Sequence, residues 1–82
     1  MQVSIILPTY NEKKNILLLV NSIKKQLKNY NLEIIIVDDK SPDETGLICK
    51  KKFLKNRNII VLINKYRIGL AKSIYEGIKV AK

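Results

Sequence analysis

Three short segments of this chain carry side chains able to do chemistry: Pro8-Thr9-Tyr10-Asn11-Glu12, the pair Asp38-Asp39, and Asn64 to Lys72. Tyr10 offers an aromatic face on which a base can stack. Glu12 or Asp39 can accept hydrogen bonds from base imino or ribose hydroxyl groups. Arg67 and Lys72 can meet phosphate charge, and a helix opening at Gly69 would add free amides and a positive dipole end. Together these groups suit a nucleoside diphosphate. The acidic pair does not suit a catalytic dyad, because neighbours on a strand end project to opposite faces. Of the two, Asp38 is the one suited to bonding loop amides instead. Tyr10 is also open to a plain packing role over the top edge of a sheet. The chain contains no His, so serine-type triads and His metal sites cannot be built from it. It has neither GxGxxG nor GxxxxGK[ST], so dinucleotide and P-loop fingerprints are absent, and Gly69 and Gly77 read as close-packing positions.

The elements that must position these residues are legible from apolar runs. Val3 to Leu7 is a short apolar strand closed by Pro8. Ile34-Ile35-Ile36-Val37, with no polar alternation, reads as a central parallel strand covered on both faces. Asn58 to Ile63 is a third strand. Helices are expected from about Asn11 to Lys28, from Pro42 to about Lys55, and from Gly69 onward. The first has Ile16, Leu19, Val20, Ile23 and Leu27 on one face, with Thr9 and Glu12 or Asn11 as its start signal. For the second, Ser41-Pro42-Asp43-Glu44 reads as a capping box, which leaves Ser41, Pro42 and Glu44 without chemistry, and Leu47, Ile48, Phe53 and Leu54 supply its contacts. The third has a face of Leu70, Ala71, Ile74, Gly77, Ile78 and Ala81. The order βαβαβα with short connections implies an α/β, three-layer, Rossmann-like fold with a parallel sheet of order 3-2-1. All three chemical segments then meet at the carboxyl edge of that sheet, where open α/β folds bind ligands. The order also leaves the apolar first strand at an edge without protective charges. We therefore expect a longer fold whose next strand covers it, or self-association through that edge.

The 82 residues suffice for one small domain with a thin core. No apolar run is long enough for a transmembrane helix, and no signal-peptide pattern opens the chain, so the expected location is the cytoplasm. The single Cys49 has no partner for a disulfide and suits a core position. The net charge of +9 could attract an anion, but Lys, Ile and Asn are abundant throughout, as an AT-rich gene would give, and the lysines fall mainly on solvent faces of helices.

Ile5-Ile-Leu-Pro-Thr-Tyr-Asn-Glu12, Ile34-Ile-Ile-Val-Asp-Asp-Lys-Ser-Pro-Asp-Glu-Thr45 and Arg67 to Ala81 together resemble the start of a family 2 glycosyltransferase of the GT-A fold, most like the dolichol-phosphate (polyprenyl-phosphate) mannosyltransferase group. The resemblance covers nearly the whole chain but only the front, nucleotide-binding part of the family's catalytic domain. It implies a nucleotide-sugar donor such as GDP-mannose, a divalent cation (Mg or Mn), and a lipid-phosphate acceptor at the membrane, so that the protein would work peripherally at the cytoplasmic membrane face. It also implies that Pro8, Tyr10, Glu12 and Asp39 contact base and ribose, with Asp38 beside them and Arg67 to Lys72 near the donor. Lys40 and Glu44 depart from the family's usual small residue and glycine. The family's Asp-x-Asp metal motif, its acceptor half and its catalytic base are not in this chain, which is not expected to transfer sugar by itself.

Three rival readings are distinguishable. A non-catalytic fragment would at most bind nucleotide. A receiver domain needs its acidic pair after the first strand and a phospho-accepting Asp after the third, whereas here the pair follows the second and the third ends at Asn64. A nucleic-acid module would need aromatic residues interleaved on a basic face, and the five aromatics are scattered.

Overall fold

A computed structural model describes residues 1–82. The element order is β1 (Gln2–Thr9), α1 (Ile16–Gln26), β2 (Asn31–Asp38), α2 (Thr45–Lys52), β3 (Ile59–Ile63) and α3 (Leu70–Val80). The three strands are parallel and ordered β1-β2-β3, which is 3-2-1 read from the other edge. The register lines up Ile5, Ile34 and Ile59 on one face and Ile6, Ile35 and Ile60 on the other, so each face carries a cross-strand row of β-branched side chains. β2 is buried from Glu33 to Asp38, as its unbroken apolar run requires.

Helices α1 and α2 cover one face. The core there consists of Ile16, Val20, Ile34, Ile36, Cys49, Phe53 and Ile59. Burial and the nearby Asp38 charge push the Cys49 thiol up to about 11, so it stays a neutral packing group. Helix α3 covers the other face, lying against β1 and β2. Its close approach depends on small residues. Ser73 and Gly77 are its buried positions, and a Cβ on Gly77 would sit 2.6 Å from Ile6 Cγ2. The expected apolar face of α3 is therefore rotated, with Leu70 and Ile78 more than half exposed and Ser73 inside. No helix is long and apolar enough to cross a membrane.

Both early helices start later than their sequences suggest. α1 begins at Ile16 rather than near Asn11, and neither Thr9 nor Asn11 caps it; Asn15 stands at its N-cap without a side-chain bond. α2 begins at Thr45 rather than Pro42 and ends at Lys52, leaving Leu47 and Leu54 exposed. The Ser41/Glu44 capping box does not form. Glu44 sits at the N-cap in a left-handed conformation (φ 65°) with no capping bond, and Ser41 is bonded to Asp38 instead. In both cases the residues before the helix are drawn into bonds between loops, which outcompete the local cap.

Candidate functional site

The carboxyl ends of β1, β2 and β3 release three loops on the same side, and a cleft of about 260 Å³ lies between them. Pro8, Tyr10, Glu12, Asp39 and Arg67 line it, together with Thr9, Gly69, Leu70 and Ser73. Five of the seven residues singled out from sequence therefore meet in one place. Asp38 and Lys72 are not in the lining.

Asp38 and Asp39 leave the strand end in opposite directions. Asp38 turns to the α1/α2 side and is 2% exposed. Its Oδ1 accepts from Thr9 Oγ1 at 2.8 Å and Ser41 Oγ at 2.6 Å, while Oδ2 accepts from the Ser41 amide at 2.9 Å. The first turn of α2 presses on it. A Cβ on Gly46 would lie 2.8 Å from both Asp38 Cβ and Ile63 Cγ1, so glycine is required for this approach.

Asp39 turns to the α3 side and organises the β3–α3 loop. Its Oδ1 accepts from the Ile68 amide at 2.7 Å and Asn64 Nδ2 at 3.0 Å, and its Oδ2 from the Gly69 amide at 2.9 Å. Arg67 Nε lies 3.8 Å from Oδ2. Burial pushes the Asp39 carboxyl up, but the Ile68 amide, Asn64, the Gly69 amide and Arg67 together hold it below the usual range. Gly69 has φ 91° and nothing within 4 Å of a built Cβ, so its role is backbone conformation and not the close packing read from sequence. The Arg67 guanidinium stacks over the Tyr10 ring with Cζ 3.8 Å from the centroid, forming a cation–π pair across the mouth of the cleft.

A second set of bonds joins the β1–α1 loop to the β2–α2 loop. Asn11 N donates to Ser41 Oγ (2.9 Å), Glu12 N to Thr45 Oγ1 (3.1 Å) and Lys13 N to Asp43 Oδ2 (3.1 Å). Asp43 N returns a bond to Asn11 Oδ1 (3.3 Å). Asp43 Oδ1 accepts from the Thr45 amide at 3.0 Å and from the Thr45 hydroxyl. Ser41, Asp43, Thr45 and Ser73 were not readable as site residues from sequence, and Asn64, inside the third chemical segment, had no individual role. Asp43 and Thr45 looked like part of a helix start, and nothing local links Asn64 to Asp39.

The carboxylates present do not fit a bound cation. Oxygens of Asp38 and Asp39 accept from N–H and O–H donors, and no three His, Cys, Asp or Glu groups lie close enough to share a metal. A larger hollow of about 370 Å³ opens at the opposite edge of the sheet, lined by residues including Lys24, Leu27, Lys28, Tyr30 and Asn58. It has no carboxylate acceptor and lies away from the three converging loops, which leaves the smaller cleft as the candidate site.

Residues 4–82 match the sequence model of the glycosyl transferase family 2. The chain is 38% identical over 82 residues to a dolichol-phosphate mannosyltransferase of Pyrococcus furiosus, an alignment covering 99% of this chain and 23% of that protein. It is 38% identical over 80 residues to the glycosyltransferase GlyG of Streptococcus pneumoniae, covering 98% and 26%. It is 34% identical over 80 residues to the minor teichoic acid biosynthesis protein GgaB of Bacillus subtilis, covering 96% and 9%. The chain thus spans about a quarter or less of each of these relatives. With the family model matched from residue 4 to residue 82, the chain belongs to glycosyl transferase family 2.

Proposed function

We propose that the cleft at the carboxyl edge binds the nucleoside diphosphate portion of a sugar donor. The observation that carries this reading is the grouping of Asp39, Tyr10 and Arg67, contributed by three different loops, at the place where open parallel sheets receive ligands. In this reading Arg67 leaves the Tyr10 ring for the diphosphate, and the freed ring face receives the base. Glu12 and the Asp39 carboxylate accept from base or ribose donors, and Pro8 walls the cleft. Asp38 acts one step back, by holding Thr9 and Ser41. Lys72, exposed on the first turn of α3, meets the outer phosphate only as a peripheral charge.

The activity proposed for the whole protein is transfer of a hexose, mannose or glucose, from such a donor to a polyprenyl phosphate at the cytoplasmic membrane face. The mannosyltransferase similarity supports the acceptor and the family membership supports the chemistry. A divalent cation, Mg or Mn, belongs to that proposal, with its ligands supplied from outside these 82 residues. Titration with GDP and with UDP, followed by calorimetry, tests the donor reading. Saturable binding that Tyr10→Ala and Asp39→Ala each weaken at least about fivefold is the expected result, and unchanged binding in those variants overturns it.

A further inference from the structure

Resting on the nucleotide-binding reading above, we propose that Asp43, acting with Thr45, is a positioning residue that sets the binding shape of the Tyr10–Glu12 loop from the neighbouring loop. Three consecutive amides, those of Asn11, Glu12 and Lys13, point at the β2–α2 loop and are taken by Ser41 Oγ, Thr45 Oγ1 and Asp43 Oδ2 in that order. Such a row of N–H groups after a residue in left-handed backbone, here Asn11 at φ 55°, is a concavity suited to an anion. In this molecule the chain itself fills the concavity, with two of the amides going to the Ser41 and Thr45 hydroxyl oxygens and that of Lys13 to the Asp43 carboxylate, so it serves loop shape and not phosphate. Thr45 is buried, and its hydroxyl hydrogen goes to Asp43 Oδ1, which leaves the Thr45 oxygen to accept from Glu12 N. One carboxylate therefore fixes the direction of two further bonds. Asp43 N closes the ring by donating to Asn11 Oδ1. The loop so held carries Tyr10 and Glu12 into the cleft.

The geometry makes distinct demands on each partner. Asn at position 43 places an amide group against either Lys13 N or the Thr45 donors, and one of these bonds must break. Val at position 45 fills the same space as Thr but neither donates nor accepts, whereas Ser restores both functions.

The test compares wild type, Asp43→Asn, Thr45→Val and Thr45→Ser for GDP and UDP affinity by calorimetry, with amide chemical shifts of residues 10–13 recorded on each. Asp43→Asn and Thr45→Val should weaken nucleotide binding at least about fivefold and move the amides of Asn11, Glu12 and Lys13, with Thr45→Ser returning both readouts to wild type. The chemical shifts report the loop directly in a variant that remains folded. Wild-type affinity in both Asp43→Asn and Thr45→Val, or failure of Thr45→Ser to restore binding lost in Thr45→Val, overturns the proposal while leaving nucleotide binding intact. A wild-type chain that binds neither nucleotide overturns the nucleotide reading itself, and the positioning role with it.

Discussion

Asp39 carries more of the site than any other residue, because one carboxylate orders the loop that delivers Arg67 and Gly69. Its depressed pKa has a stability consequence. The native state keeps Asp39 ionised to lower pH than the unfolded chain does. Its contribution is thus fully present above the unfolded carboxylate pKa, about 4, and is lost as pH falls through the lower folded value. Glu33 adds in the same direction, held down by the Lys82 amide and the Ser4 hydroxyl. Melting temperature should be flat in these groups from pH 7 to about 5 and fall below about 4, and Asp39→Asn should flatten part of that fall. At Tyr10 the ring is the working part. Tyr10→Phe should bind nucleotide close to wild type, while Tyr10→Ala should lose about 1–3 kcal/mol of binding, the usual worth of a base–aromatic stack. The types and order of Tyr10, Glu12, Asp39 and Arg67 were legible in the sequence because each precedes or follows a clear strand. The bonds that Asn64, Asp43 and Thr45 make from one loop to another were not, since those join residues 25 to 33 positions apart and leave no local pattern.

At the scale of elements, strands read more faithfully than helices. The strands are continuous apolar runs whose burial on both faces admits little else. The starts of α1 and α2 fall later than the sequence suggests because Ser41, Asp43 and Asn11 resemble caps, yet bond to each other's loops. The α2 start is instead fixed by contact, with Gly46 seated on Asp38 and Ile63. Gly46→Ala should therefore cost about 1–3 kcal/mol, the usual cost of overpacking a tight site, measured as a shift of the urea midpoint. Strand β1 lies at the sheet edge with half-buried Ile5, Ile6 and Leu7 and no charged residue from Gln2 to Thr9. Such an edge pairs readily with another strand. Sedimentation of the 82-residue chain should show concentration-dependent association that Ile5→Lys suppresses; a monomer at all concentrations would exclude it.

Across the whole molecule, charge is sorted by the fold. The three helices run opposite to the strands, so their lysine-bearing C-terminal turns gather at the amino edge. Ten of the 16 basic residues sit there against Glu33 and Glu76, while the carboxyl edge holds the other six with the remaining five acids. The near-balanced end carries the cleft, and the basic end repels itself. Moderate salt should raise the melting temperature by screening that repulsion. Whether the balanced end takes a nucleoside diphosphate is decided by amide chemical-shift mapping with GDP and UDP. Saturable shifts confined to Tyr10–Glu12, Asp39 and Arg67–Gly69 are the expected result. Shifts confined to the lysine-rich hollow around Lys24–Tyr30, or none at all, would contradict it.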